Sequence, residues 1–234
     1  MKAFKVALRA VISFYNELFF LLGLSLLWWA TGGVFVGLAI AFGYVALSTN
    51  GVWWIAPILA IPAGPAIIAL AAVVRRCVRD QHVDRSQYFE AYKTQWKQGL
   101  ALNAIGMVIL SLLLLNLIFY LYQTTTVLRV FGIIWGYLTV FWLSVQLYVY
   151  PFFVALEKPT VLSSLRMAAL AVLANPLFSL LLLVLAGVVT AVNVALAVTV
   201  LIAWPALMAL LGEHGLVLIL ELAGMKKDAG DSES

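Results

Sequence analysis

A chain of 234 residues with 65% hydrophobic and only 10% charged side chains lies far from the roughly 25% charged composition of soluble domains, and its mean hydropathy of +1.08 excludes a water-soluble fold. Crossing a hydrocarbon core of about 30 Å takes about 20 apolar residues, and several such runs follow one another here with no length left for a soluble domain. The net charge of +4 sits on basic residues beside those runs, where retention by the cytoplasmic leaflet accounts for it without nucleic acid, and the single cysteine, Cys77, excludes an internal disulfide and a multi-cysteine metal site.

Residues 1–16 place Lys2, Lys5 and Arg9 among Phe4, Val6, Leu8, Val11, Ile12 and Phe14, a basic and partly amphipathic lead-in. Hydrophobicity continues well past Trp28 and Trp29, unlike the short core of a cleaved signal, so we expect an uncleaved, cytoplasmic N-terminus. The run Leu18 to Leu47 is long for one span and holds Thr31, Gly32 and Gly33 in its middle; we read it as one bent span. Ser48, Thr49, Asn50 and Gly51 turn the chain on the opposite side, and Trp53 and Trp54 start a second span in an interfacial aromatic belt. That span runs to about Val74 and is interrupted by Pro57, Pro62, Gly64 and Pro65. Backbone groups freed by proline must find partners inside protein rather than lipid, so the break is expected to be buried or to line a cavity.

Arg75, Arg76, Arg79, Arg85, Lys93 and Lys97 mark the loop that follows as cytoplasmic. Asp84 or Ser86 caps a short helix there. Tyr88, Tyr92 and Trp96 recur every four residues with Phe89 beside them, while Glu90, Lys93 and Lys97 take the other side, which predicts an in-plane amphipathic helix. A third span covers about Leu100 to Tyr122, with a return turn at Gln123 to Thr126, and a fourth, rich in aromatics, covers about Val130 to Phe153 and is ended or kinked by Pro151. A fifth is expected from about Met167 to Thr190 with Asn175 and Pro176 inside it, and a sixth from about Val194 to Leu211. Gly212, Glu213, His214 and Gly215 are expected to interrupt the last run, leaving Leu216 to Ala223 along the membrane.

The expected fold is therefore all-α, a polytopic bundle of six transmembrane helices in one integral membrane domain (1–224), with a polar, disordered cytoplasmic tail (225–234). Six spans put both termini in the cytoplasm and leave only Arg129 among the basic residues outside, as the distribution of basic loops requires. Dividing the first or last apolar run differently gives four or eight spans.

IPAGPAIIALAAVVRRCVRD followed by SQYFEAYKTQWKQG, covering Pro62 to Gly99, resembles the YesL-like bacterial membrane family. Pro62, Gly64, Pro65, Phe89 and Trp96 are the matching positions, all structural, and the Thr31 to Asn50 region is longer than that family's pattern. The resemblance implies an inner-membrane accessory of carbohydrate uptake and carries over no catalytic residue.

Intramembrane ionisable groups mark transport or proton paths, and Glu17, Glu213, His214 and Glu221 fall near predicted boundaries. Adjacent residues on a helix point apart, so Glu213 and His214 read as a solvated helix end. Asn103, Asn116, Gln146, Asn175 and Asn193 read as interhelical glue, or as ligand contacts if they converge on the proline break. Tyr137, Phe141, Ser144 and Tyr148 share one helical face, which suits packing and would also stack on sugar rings. There is no phosphate-binding loop, no His-Glu-x-x-His and no nucleophile elbow, and the two histidines, His82 and His214, lie far apart, so no enzyme chemistry, cofactor or metal is expected.

Two functional readings stay open beside a weaker third. The first is an accessory of solute uptake, docking a carbohydrate importer's permease or ATPase subunit, or lipid, through Arg75, Arg76, Arg79, Tyr88, Tyr92 and Trp96. The second is a small transporter or channel with a solute site at Pro62, Gly64 and Pro65, lined by Tyr137, Phe141 and Tyr148. The third is a lipid-modifying enzyme, which would need carboxylate, histidine and arginine to converge in one cavity. A transporter calls for a polar cavity reaching the midplane, and an accessory for a packed interior with a used cytoplasmic face.

Overall fold

Lipid offers no hydrogen bonds to a backbone, so a chain this apolar must satisfy its peptide groups within helices or a closed barrel. The computed structural model describes residues 2–49, 52–79, 81, 83–196 and 203–222, and over these it is helical without a strand. His82, Asn50, Gly51 and the tail 225–234 lie outside the described residues.

Helix α1 (Lys2–Asn16) buries Val6 and Ala10 against the bundle. Its outward surface divides into an apolar stripe of Phe4, Leu8, Val11, Ile12 and Tyr15 and a basic edge with Lys5 and Arg9 exposed. Helices α2 (Leu18–Trp28) and α3 (Val34–Ser48) are joined by a π-turn at Trp29–Gly33, the kind of irregularity at which helices kink and the place where a bend is expected in the first span. Thr31 in that turn donates to the Leu27 carbonyl at 2.8 Å, so the Tyr88 hydroxyl, 2.6 Å away, donates to Thr31.

The second span is a staircase. A 3₁₀ turn at Trp53–Ile55 leads into α4 (Ala56–Leu59), a second 3₁₀ turn at Ile61–Ala63 follows, and α5 (Gly64–Val78) completes it. Pro57, Pro62 and Pro65 each stand in the first turn of a new piece, where the missing N–H costs nothing. Helix α5 is the centre of the fold: Ala66, Ile68, Ala69, Leu70, Val73 and Val74 are buried, and it packs on α6 (Ser86–Leu121) and α7 (Thr126–Ala155). Its small side chains let the neighbouring backbones approach.

Helix α8 (Val161–Ala174) opens with a capping box in which Thr160 and Ser163 exchange bonds. It is followed by α9 (Pro176–Ala195) and α10 (Trp204–Leu222), and α1 packs on both of these. Among the described residues six helical stretches are long and apolar enough to cross a membrane: Leu18–Ser48, Trp53–Val78, Ser86–Leu121, Thr126–Ala155, Pro176–Ala195 and Trp204–Glu221. The chain has the architecture of a multi-pass membrane protein.

Three expectations are corrected. The amphipathic segment after span two is not a separate helix, because α6 runs unbroken for 36 residues. At 1.5 Å per residue that is about 54 Å, so α6 outreaches a hydrocarbon core of about 30 Å. The fifth span does not run through Asn175 and Pro176 from Met167: α8 ends at Asn175, and the span is α9, which Pro176 starts at a position where proline is tolerated. Gly212 to Gly215 do not interrupt the last run but lie inside α10. Their glycines serve close packing, since a Cβ at Gly212 would stand 2.8 Å from the Leu147 carbonyl oxygen and one at Gly215 2.6 Å from Leu182 Cδ2. The sixth span accordingly moves from 194–211 to 204–221.

Candidate functional site

At the proline steps the Ala60 and Ile61 carbonyls accept from the Ala63 and Gly64 amides of the 3₁₀ turn, and one side chain adds a second donor to both. Asn103 of α6 donates through Nδ2 to the carbonyls of Ala60 (2.8 Å) and Ile61 (3.1 Å), while its Oδ1 accepts from the Tyr150 hydroxyl at 2.7 Å. Beside it, α5 and α6 touch backbone to backbone, for a Cβ on Gly64 would collide with the Gly99 carbonyl. Asn103 therefore converges on the break as glue and fills it. Of the other amides, Asn116 and Asn193 donate to carbonyls four residues back, Asn175 ends α8, and Gln146 lines a second cavity with its Nε2 buried and unbonded.

The solute site expected at the break is corrected on the same ground. Gly64 and Pro65 are buried and Pro62 is half-buried in this packing, Tyr137 is 68% exposed on the outer face, Phe141 is half-buried and Tyr148 is wholly buried. These side chains do not meet around a common space.

Polarity gathers instead at the C-terminal end of α5. A cleft of about 330 Å³ is walled by Arg75, Arg76 and Arg79 and floored by Gln87, Glu90, Ala91, Thr94 and Gln95 of α6. Arg76 and Arg79 are exposed. The expected surface of arginines and aromatics is divided by helix geometry: the cleft uses a face of α6 to which Tyr88, Tyr92 and Trp96 do not belong. Tyr88 is wholly buried on its bond to Thr31, Tyr92 is half-buried beside it with ring centroids 6.5 Å apart, and Trp96 is exposed with the Lys97 ammonium 5.7 Å from its ring.

Arg75 is not free either, which removes it from the expected docking set. Its Nη1 donates to Glu213 Oε1 of α10 at 2.6 Å, and the two residues are only 8% and 2% exposed. Glu213 is thus no solvated helix end. The pair stands between two spaces, for Arg75 walls the cleft while Glu213 lines a mostly apolar cavity of about 400 Å³ on the far side of α5. Trp28, Trp204, Tyr150, Leu147 and Met208 line the same cavity. His214 turns elsewhere, its Nε2 lying 3.1 Å from Ser13 Oγ of α1, so carboxylate and arginine meet without the histidine. Glu17 is exposed, as an interfacial residue should be.

The pairing of Arg75 with Glu213 escapes a linear reading because 138 residues separate them. The available signal is charge count: one arginine and one glutamate, each beside an apolar run, whose burial demands an opposite partner.

Bundle, cleft and membrane cavity together define a multi-pass helical membrane protein. Over residues 46–117 the chain is similar to a family described as protein of unknown function, DUF624. That stretch holds the proline steps, the arginines, Asn103 and all of the cleft's lining except Val154, whereas Glu213 and most of the apolar cavity lie outside it. No curated protein and no solved structure matches the chain.

Proposed function

We propose that this protein is a non-enzymatic accessory of solute uptake that docks an acidic segment of an importer's permease or ATPase subunit in the arginine cleft, on the cytoplasmic side of the inner membrane. Carbohydrate as the solute rests on the YesL-like resemblance of residues 62–99. The observation that supports docking over direct sugar transport is where polarity lies. Sugars need polar contacts along their path, yet the proline steps are filled by Asn103 and the membrane cavity is apolar, while the cleft carries exposed Arg76 and Arg79. Exposed arginines on a rim steer an acidic partner and are screened by salt.

Purification through an affinity tag in mild detergent, with mass spectrometry of what accompanies the protein, tests this. The wild type should recover defined permease or ATPase subunits at low salt, the Arg76→Ala/Arg79→Ala variant should lose them, and Trp96→Ala, outside the cleft, should keep them. Recovery of the protein alone, or equal loss in Trp96→Ala, overturns docking at the cleft.

A further inference from the structure

The apolar cavity has a composition the docking reading does not use. About 400 Å³ falls within the range of small-molecule sites, and Glu213 is the one charged residue lining it among the described residues. Trp28, Trp204 and Tyr150 line the same cavity as that carboxylate. Trp204 and Tyr150 are held by residues outside the lining, since Trp204 Nε1 donates to Thr190 Oγ1 at 3.0 Å and Tyr150 donates to Asn103, and within it the Trp28 and Trp204 rings meet edge-on with centroids 6.1 Å apart.

Aromatic faces and a carboxylate inside an apolar wall attract one class of ligand, a cation that carries its own apolar groups. Ring quadrupoles favour positive charge, more strongly where water is excluded, and the apolar remainder of the ligand replaces lipid against Leu147 and Met208. An ionised carboxylate offers about four acceptor sites, and Arg75 Nη1 is bonded to Oε1. We propose that this cavity binds lipophilic cations, protonated or quaternary amines bearing aromatic or alkyl groups, with Glu213 as their counter-charge.

The ion pair makes the proposal directional. Arg75 competes with the ligand for Glu213, so removing Arg75 should strengthen binding and removing Glu213 should weaken it. A variant that merely disturbs packing would move both the same way.

The experiment uses the full chain in phosphatidylcholine nanodiscs, with tetraphenylphosphonium as probe and tetraphenylborate as its anionic counterpart of like shape. Binding is followed by tryptophan quenching and corrected for partition into empty discs. Expected are saturable binding of the phosphonium at least tenfold tighter than of the borate, a tenfold or greater loss in Glu213→Gln, and a several-fold gain in Arg75→Gln. Equal binding of both ions, no saturable binding, or parallel shifts in the two variants would overturn it. The comparison of the two ions on the wild-type protein needs no variant, so a folding failure of either one leaves the test intact.

Discussion

Separating Arg75 from Glu213 should cost different amounts depending on which partner is removed. Arg75→Met strands the buried Glu213 carboxylate on α10 beside a mostly apolar cavity. Loss of one member of a buried pair costs about 3–5 kcal/mol, and the full range applies here because Glu213 is 2% exposed. Glu213→Leu leaves the guanidinium, but Arg75 also walls the polar cleft, and a long side chain can swing its head toward water while keeping its stem packed. That escape lowers the cost to about 1–2 kcal/mol. Arg75→Met/Glu213→Leu removes both charges together and should lie within about 1 kcal/mol of the wild type. The cycle therefore predicts a coupling of at least about 3 kcal/mol, the upper end for residues in contact. Unfolding by sodium dodecyl sulfate in mixed micelles, followed through the chain's eight tryptophans, measures all four proteins. An additive double variant, or a Glu213→Leu cost equal to that of Arg75→Met, refutes the placement of the pair between a wet cleft and a dry cavity.

Asn103→Ala removes the second donor of two carbonyls that keep their backbone bonds and leaves the buried Tyr150 hydroxyl without its acceptor, and should lose about 1–3 kcal/mol in the same unfolding assay; Tyr150→Phe added to it should cost less than on the wild-type background. Gly99→Val would set a branched Cβ 2.8 Å from Pro65 Cα and 3.1 Å from the Gly64 carbonyl carbon, so α5 and α6 must part, at about 3 kcal/mol; monodisperse yield by size exclusion should fall sharply, and wild-type yield would contradict the backbone contact. Thr160→Ala removes one half of the capping box at about 1 kcal/mol, and hydrogen exchange should quicken at the first amides of α8 with α5 and α6 unchanged.

The parts of this fold that sequence conveys are those decided by composition within a window. Runs of apolar residues set six helices long enough to cross a membrane, Thr31 with two glycines marked the π-turn of the first, and three prolines marked the steps of the second. The errors arose where one residue type has two uses and only a distant neighbour decides between them. Pro176 reads as a break inside a span, yet at the first position of α9 it is a start. Gly212 and Gly215 read as an interruption, yet against the Leu147 carbonyl and Leu182 they are contact points that admit a neighbouring helix.

Glu213 shows the limit most sharply. A carboxylate flanked by glycines and followed by histidine has the local look of a solvated helix end, and nothing within ten residues contradicts that. Its burial is offset by Arg75, which stands in the last turn of α5 and which the pattern of basic residues beside apolar runs had already accounted for. One arginine thus fits two rules at once, the expected pattern of basic loops and the neutralisation of a buried acid, and the first reading hides the second. The cleft was half legible for a related reason: sequence placed arginines and aromatics in one segment, but at 100° per residue Gln87, Glu90, Ala91, Thr94 and Gln95 turn toward the arginines while Tyr88, Tyr92 and Trp96 turn away. Adjacency along the chain carried the chemistry to the right end of the molecule, and helical rotation then decided which half of it shares a surface.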